Sequence, residues 1–267
     1  MDLINLYLTQ PRPNYIFVDG QVIVREPDEP TAAPAPQPIT FTTGQSYVRL
    51  NRWDATRSGS IEFHFKTFDP NGLILFNGGQ PDSFSVELFD GQPYVNLDLG
   101  GGVYKYPFET RSGLVNDGQP HHILINRRGR TLRLALDGDE RIHTIIGGDD
   151  DLDLGSHLYI GAVDSPSQLP WHVWSRDRKY FRGCFWGLRI NDGEVVDIES
   201  YVRNQVMPGI EPGCLSTPPQ CPSRPCVNGV CLERFDGFHC DCSATPFTGD
   251  HCEKGESLSF IFGYRQV

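Results

Sequence analysis

The amino-acid sequence predicts an all-β fold, a two-sheet antiparallel β-sandwich followed by a small disulfide-rich module. Three observations lead to this prediction. Short segments in which apolar and polar residues alternate recur from residue 39 to residue 190, and clusters of turn-forming residues separate them. A helical period is almost absent from the same part of the chain. All 8 cysteines lie in the last third of the sequence, between Cys184 and Cys252.

The first 37 residues differ in character from the rest of the chain. Residues 15–24 contain two β-prone runs around Asp19-Gly20, which predicts a short hairpin. A two-stranded hairpin is marginal by itself, so this segment is either the remnant of a preceding domain or a tail that only carries the pattern. Five prolines follow between residues 27 and 38, and they predict an extended linker with a domain boundary near Gln37.

The strands of the sandwich are expected between residues 38 and 214. Turn signals such as Asp90-Gly91 and Asp137-Gly138 separate the alternating runs. Many short, half-apolar strands at close spacing are typical of a jelly-roll-like sandwich. The side chains predicted to face the core are Ile61, Phe63, Phe65, Phe84, Val86, Leu88, Val95, Leu97, Leu99, Ile123, Ile125, Leu132, Leu134, Leu136, Leu158 and Ile160.

The stretch from Phe181 to Gly193 closes the sandwich. Leu188 and Ile190 alternate with Gly187 and Arg189, as in a strand with one buried face, and the Asn191-Asp192-Gly193 turn ends it. Cys184 lies in this stretch and is the first cysteine of the chain; the next one is Cys214. The stretch therefore marks the change from sheet to disulfide-rich module.

Composition restricts the partners and the compartment. The formal net charge is -11, with 34 acidic and 23 basic residues, which disfavours nucleic acid and anionic membrane surfaces as partners. The local exception is Arg127-Arg-Gly-Arg130 with Arg133, which is either a solvated hairpin tip or a site for a sulfated glycan. The even number of cysteines indicates disulfides and an extracellular location.

The sequence also bears on membranes and on the extent of the chain. No stretch reaches the roughly 18 apolar residues of a membrane span, so we expect no direct membrane insertion by this chain. Residues 1–10 lack the basic region and the continuous apolar run of a signal peptide. We therefore expect the sequence to be a fragment of a longer protein.

Several motifs together resemble one family, the neurexins. The resemblance rests on Phe181-x-Gly-Cys184 with the strand that follows, and on Pro38-Ile-Thr-Phe41, Ser46-Tyr-Val-Arg-Leu50, Trp53, Thr56-Arg-Ser-Gly-Ser60, Pro70-Asn-Gly-Leu-Ile-Leu-Phe76, Val115-Asn-Asp-Gly118 and Leu158-Tyr-Ile-Gly161. It is greatest for the third laminin-G (LNS) domain of the long neurexins, which the second EGF-like module follows in that family. It implies an unmatched segment and linker at 1–37, a laminin-G domain at 38–214, an EGF-like module at 217–253 and the start of a further segment at 254–267.

The last six cysteines have the spacing of an EGF-like module. Six cysteines allow 15 pairings, and the spacing alone does not select one of them. The family resemblance implies the bridges Cys184–Cys214, Cys221–Cys231, Cys226–Cys240 and Cys242–Cys252. A zinc site is disfavoured, because paired C-x2-C knuckles are absent. Cys221-Pro-Ser-Arg-Pro-Cys226 matches the C-x-S-x-P-C pattern of O-glucosylation, which predicts O-glycosylation of Ser223.

Catalysis is not expected. The sequence has no H-E-x-x-H or G-x-S-x-G motif, and His121-His122 only opens a strand. The resemblance implies a recognition module of a presynaptic, single-pass cell-surface receptor that binds extracellular proteins through the sandwich rim, with the EGF-like module as a spacer. The alternative is a glycan-binding laminin-G module of a basement-membrane protein. Its basic residues would be Arg176, Arg178, Lys179 and Arg182.

The resemblance also implies a calcium ion on the rim of the sandwich. Asp82 and the main-chain carbonyl of Leu99 correspond to two of the family's ligands. Arg178-Lys179-Tyr180 stands where the family has an asparagine, and an ammonium group at that position would oppose a divalent cation. The simpler alternative is that Asp82 only caps the turn after Gly79-Gln-Pro81.

Overall fold

The computed structural model describes residues 14–18, 21–25, 37–109, 113–173, 180–203, 208–215, 221, 225–234 and 237–255. The chain divides into two compact units, Met1–Ala35 and Pro36–Val267. In the first unit, β1 (Asn14–Val18) pairs antiparallel with β2 (Gln21–Arg25), and Val18 lies opposite Gln21. This is the hairpin that the sequence predicts. The predicted linker at residues 26–36 lies outside the described residues.

Two antiparallel sheets form the sandwich in the second unit. Within the described residues, seven strands form one sheet in the order β12-β11-β10-β5-β14-β3-β15, and six form the other in the order β4-β13-β6-β7-β8-β9. The bounds are β3 Ile39–Phe41, β4 Tyr47–Leu50, β5 Ser58–Lys66, β6 Gly72–Gly79, β7 Ser83–Phe89, β8 Gln92–Asp98, β9 Val103–Pro107, β10 His121–Arg128, β11 Thr131–Leu136, β12 Asp139–Thr144, β13 Leu154–Gly161, β14 Gly183–Ile190 and β15 Ile210–Pro212. A short helix, α1 (Ile198–Arg203), precedes β15.

The main core lies between the two sheets. Each strand turns alternate side chains to opposite faces, so the period-2 pattern delivers one apolar face per strand to the core. All the core residues predicted from that pattern are buried, and Phe63 and Phe185 stack across β5 and β14 with ring centroids 5.0 Å apart. Ile198 and Val202 of α1 complete the cluster at one end. The pattern therefore identifies the core correctly.

A second apolar cluster covers the outer face of the six-stranded sheet. It joins Phe76 of β6 and Tyr159 of β13 to residues of the segment after β13, namely Ala162, Val163, Leu169, Val173 and Tyr180. Because β6 is covered on both faces, its apolar residues form a continuous run, Leu73 to Phe76, instead of an alternation. This packing holds the segment 162–173 against β6 and β13.

The alternation pattern does not predict every strand, and β9 and β12 are two that it misses. β9 is only half buried throughout, and β12 is largely exposed and rich in charge. Both are edge strands, where polar and charged side chains are expected, so neither shows a clear alternation. Leu99, predicted to continue a strand, lies just after the end of β8.

The cysteine-rich part contains two small antiparallel pairs. β16 (Val230–Arg234) pairs with β17 (Gly237–Asp241), and β18 (Phe247–Thr248) pairs with β19 (Lys254–Gly255). The structure contains the bridges Cys184–Cys214, Cys221–Cys231, Cys226–Cys240 and Cys242–Cys252, the pairing that the family resemblance implied. Ser223 and residues 256–267 lie outside the described residues. No helix in the described part of the chain combines the length and apolar character needed to cross a membrane.

Candidate binding site on the sandwich rim

Asp82 immediately precedes β7, and its side chain points into a loop that is distant in sequence. The residue is only 6% exposed, and its Oδ2 accepts a hydrogen bond of 2.7 Å from the main-chain N–H of Asp153. The main-chain carbonyl of Asp82 accepts a second bond from Gly79 N–H at 2.6 Å. The side chain of Asp82 thus joins two loops, while its main-chain carbonyl closes the turn after Gly79.

The carbonyl of Leu99 lies at the same place. It accepts a hydrogen bond of 3.1 Å from Asp149 N–H. Gly148 packs directly on Leu99, since a Cβ at that position would lie 2.7 Å from the Leu99 carbonyl oxygen. Asp82 and Leu99 border one depression of about 300 Å³, so the structure brings together the two residues that the sequence analysis proposed as calcium ligands.

The depression is strongly acidic. Asp149, Asp151 and Asp153 line it together with Asp82, and Arg57 pairs with Asp151 at 3.0 Å on its exposed side. Burial raises the pKa of Asp82, and the charges of Asp153 and Asp98 raise it further, against the Asp153 N–H bond and the charge of Arg127. A carboxylate in this position is costly to keep ionised unless a cation approaches it.

A buried arginine anchors the acidic loop from inside. Arg127 of β10 is 1% exposed, and its guanidinium donates to the carbonyls of Ala55 at 2.8 Å and Thr56 at 3.2 Å, and also to the carbonyl of Asp150. Burial lowers the pKa of Arg127, whereas Asp151, Asp82 and Asp150 raise it. The guanidinium therefore ties the loop before β5 to the loop before β13.

This finding corrects one interpretation of the basic run. The hairpin between β10 and β11 has an exposed tip at Arg128 and Arg130, as predicted, but Arg127 is structural and buried. Arg130 pairs with Asp150 at 2.7 Å, and Arg133 pairs with Glu140 at 3.4 Å. Neighbouring acids therefore offset much of the charge that a sulfated glycan would need.

Two large apolar side chains are exposed on segments that contact residues of the depression or the residue next to them. Ile146 is 75% exposed and lies two residues before Gly148, which contacts Leu99. Trp171 is 79% exposed, and the adjacent His172 contacts Ser83 with 3.3 Å between Nε2 and Oγ. We call residues 80–82, 99–101, 146–153 and 170–173 the Asp82 rim. The sequence did not identify Ile146 and Trp171 as surface residues, because the neighbouring residues of a loop do not show whether an isoleucine or a tryptophan is buried or exposed.

Calcium fits this donor set in part. Calcium prefers several hard oxygen ligands, and here Asp82 offers a carboxylate and Leu99 a carbonyl. Among the described residues, no group of three or more histidine, cysteine or acidic side chains is arranged to hold a metal ion. Arg178 and Lys179, which stand where the family has an asparagine ligand, lie outside the described residues. Calcium binding at Asp82 therefore stays a prediction.

The histidines at the start of β10 have structural contacts. His121 is buried, and its ring nitrogens lie 2.8 Å from Asp137 Oδ2 and 3.0 Å from Asp117 Oδ1. His122 lies 2.9 Å from Glu62 Oε1 on the outer face of the seven-stranded sheet. These pairs join neighbouring strands and a turn, which accords with the expectation that His121-His122 only opens a strand.

Comparison with known proteins places the domain in a family. Residues 65–193 match the family model described as Laminin G domain. The chain is 36% identical to neurexin-3a of Danio rerio over 241 residues, covering 83% of this chain and 14% of the relative. This chain contains a neurexin-type laminin G domain. It is also 37% identical to human neurexin-2 over 240 residues, covering 81% of the chain and again only 14% of that protein. The chain thus spans about a seventh of the length of these neurexins.

Solved structures support the fold of the laminin G domain. Domains LG4-5 of the mouse laminin alpha1 chain superpose with a TM-score of 0.57 at 18% identity, covering 79% of this chain and 52% of that one. The LG1-3 region of the laminin alpha2 chain gives a TM-score of 0.57 at 22% identity, covering 73% and 38% of the two chains. At these identities the likeness establishes the sandwich fold and nothing about ligands.

Neutralising Asp82 should stabilise the domain. In the Asp82→Asn variant the amide oxygen can still accept the Asp153 N–H bond, while the buried charge is removed. Because the folded state raises the pKa of Asp82, the ionised carboxylate destabilises the fold at neutral pH. We expect a gain of up to about 1 kcal/mol, or roughly 2–4 °C in Tm, in thermal melts with a chelator present.

The pH dependence gives this prediction its control. The gain should shrink as pH falls through the raised pKa of Asp82, because the wild-type carboxyl then becomes neutral as well. The exposed Asp90→Asn variant should change Tm little at any pH. A fall in Tm for Asp82→Asn at neutral pH would show instead that the fold needs the charge.

Proposed function

We propose that the chain is a protein-recognition module of an extracellular adhesion receptor of the neurexin type and that it binds its partner through the Asp82 rim. The observation that carries the proposal is the composition of this rim. It combines an acidic depression with Ile146 and Trp171, the most exposed large apolar side chains among the described residues. Exposed aromatic and aliphatic anchors beside charged groups are typical of protein interfaces.

Electrostatics favour a protein partner over a sulfated glycan. A polyanion would approach Asp82, Asp149 and Asp153, which line the same depression, and like charges would oppose it. Two arginines near this end, Arg57 and Arg130, already pair with Asp151 and Asp150, and Arg52 donates to the carbonyl of Leu154 at 3.2 Å. A basement-membrane role with glycan binding at the rim is therefore the weaker hypothesis.

We further propose that calcium, where it binds, occupies the depression at Asp82 and the Leu99 carbonyl. The ion would stabilise the ionised form of Asp82, whose pKa is raised by burial and further by the charge of Asp153. The EGF-like module then serves as a spacer whose small fold depends on its three bridges, Cys221–Cys231, Cys226–Cys240 and Cys242–Cys252. The parent receptor would be anchored in the presynaptic plasma membrane by segments beyond this chain.

Binding to the surface of cultured neurons tests the rim. The double variant Ile146→Asp/Trp171→Ala should reduce binding of the labelled chain at least 10-fold, because a hot-spot aromatic contributes ~2 kcal/mol or more. The matched control is Ile142→Asp on β12, which replaces another exposed isoleucine that is not one of the residues of the Asp82 rim. Equal binding of all three proteins would contradict the proposed surface.

Two further measurements separate the alternatives. Calorimetry with calcium chloride should show binding that Asp82→Ala abolishes, and no heat at millimolar calcium would disprove the calcium proposal without touching the protein interface. Retention on a heparin column above physiological salt, unchanged by Ile146→Asp/Trp171→Ala, would support the glycan-binding alternative instead.

A further inference from the structure

Three rings stack across the outer face of the seven-stranded sheet. His122 of β10 lies directly opposite His64 of β5, and Trp186 of β14 lies opposite His64 on the other side. The His64 and His122 rings are 4.4 Å apart between centroids with an interplanar angle of 24°. The His64 and Trp186 rings are 5.5 Å apart at 17°. We call these three residues the ring stack.

A bulge in β14 makes room for the central ring. The register shifts between Trp186 and Arg189, so that Arg189 instead of Leu188 faces Glu62. Gly187 occupies the bulge with φ +68, and a Cβ there would lie 3.0 Å from His64 Nδ1. This nitrogen is buried and has no hydrogen-bond partner among the described residues. The local backbone therefore accommodates a neutral His64 ring and offers its Nδ1 no acceptor.

The groups around the ring stack come from four elements. On β5, Glu62 and Lys66 flank His64 on the same face, and Glu62 Oε1 lies 2.9 Å from His122 Nε2. Asp137, in the turn after β11, accepts the main-chain N–H of His122 at 2.8 Å. On β14, Arg189 donates to the carbonyl of Gly193 at 3.3 Å. His122 thus has a carboxylate partner, whereas His64 has none within hydrogen-bonding distance.

We propose that the ring stack is an acid-sensitive clasp, closed while His64 is neutral and opened when His64 takes up a proton. Protonation would create a second N–H that needs an acceptor, at a buried position that provides none. It would also place a positive charge on a ring whose centroid lies 4.4 Å from that of His122. The indole face attracts a cation, but it does not satisfy the buried N–H.

The pKa of His64 is shifted in the direction that the clasp requires. Burial lowers the pKa of His64, the charge of His122 lowers it further, and Glu62 and Asp137 act in the opposite direction. Because the folded-state pKa lies below the unfolded value of 6.5, an opened stack binds the proton more tightly than a closed one. The closed stack is fully favoured at extracellular pH, and its stability falls as pH drops below 6.5 through the folded-state pKa.

Opening would loosen the pairing of β5 with β14, which the bulge at Gly187 already interrupts. This inference concerns a different face from the Asp82 rim and does not depend on the proposed function. It assigns to the sheet face a response to acidic compartments on the secretory or endocytic route.

NMR titration of the whole chain between pH 7.5 and 5.0 tests the proposal. Histidine Cε1–H signals should show a midpoint for His64 below 6.5. With the same midpoint, the Trp186 indole signal should shift, and amide exchange at Trp186 and Gly187 should accelerate several-fold beyond its intrinsic pH dependence. His64→Gln, which keeps a neutral planar group, should abolish both responses, whereas the exposed His157→Gln should leave them unchanged.

Three results would overturn the proposal. One is a midpoint for His64 at or above 6.5. Another is a constant Trp186 signal while His64 titrates, which would show that the stack tolerates the charge. The third is a Trp186 response that persists in His64→Gln. The wild-type titration decides the first two results even where the variant folds poorly.

Discussion

Replacing Arg127 with methionine should lower the free energy of unfolding by about 3–5 kcal/mol, the range measured when one partner of a buried polar network is removed. The guanidinium is the donor for the carbonyls of Ala55, Thr56 and Asp150, and methionine provides no donor for them. The change also removes the cation that opposes the charges of Asp82 and Asp151. Both effects act on the folded state and have the same sign.

Chemical denaturation measures this loss, and the neighbouring residue supplies the control. Arg128 follows Arg127 on β10 but is exposed, so Arg128→Met should change the free energy of unfolding by less than about 0.5 kcal/mol. Amide signals of residues 149–153 should shift in Arg127→Met and stay in place in the control. A loss below about 1 kcal/mol would mean that water replaces the guanidinium and that Arg127 is not the anchor of the acidic loop.

Removing the bridge between Cys184 and Cys214 should destabilise the sandwich by about 3–4 kcal/mol, from the loop-closure entropy of a separation of 30 residues. The bridge ties β14 to the chain that follows β15. Thr40 holds the same place without a covalent bond, because its hydroxyl donates to Gly213 O at 2.7 Å and accepts from Leu215 N–H at 2.9 Å. We therefore expect the end of the domain to open before the sheets separate.

The test uses Cys184→Ala/Cys214→Ala, so that no free thiol remains. Hydrogen exchange should rise first at residues 208–215, and the denaturation midpoint of the sandwich should fall. The matched control, Cys221→Ala/Cys231→Ala, removes a bridge with a separation of 10 in the EGF-like module and should leave the transition of the sandwich in place. An unchanged midpoint without the first bridge would show that Thr40 and the β3–β15 pairing suffice.

Much of the fold could be predicted from the sequence, because its evidence is local. Alternation at Ile61, Phe63 and Phe65 is set by the two-residue period of a strand, and this period holds wherever one face is buried. Turns such as Asp137-Gly138 can be recognised from residue types that tolerate positive φ, and both residues have a positive φ in the structure. The core strands and the domain order follow from these signals. The bridges needed the family resemblance as well, since spacing alone left the pairing open.

The edge strands show where local evidence ends. β12 contains Asp139, Glu140 and Arg141, and its membership in the sheet depends on pairing with β11. An edge strand has a neighbour on one side only and is exposed to water, so selection for an apolar face is weak. For the same reason the sequence of β9 shows no clear alternation. Only the assembled sheet identifies them.

The candidate site was likewise predicted in part from the sequence and in part only from the structure. Residue types and a family resemblance selected Asp82 and Leu99 in advance, but the sequence could not show that the Asp82 carboxylate bonds to Asp153, 71 positions away. The alternation of Ile123 and Ile125 places Arg127 on the inner face of β10, but only the structure shows that its guanidinium donates to the carbonyl of Asp150 in the acidic loop. The alternation of a strand determines which side of a sheet a residue faces. Which loops meet at the rim is decided only when the two sheets close on their common core, because contacts between distant loops depend on the packing of every strand between them.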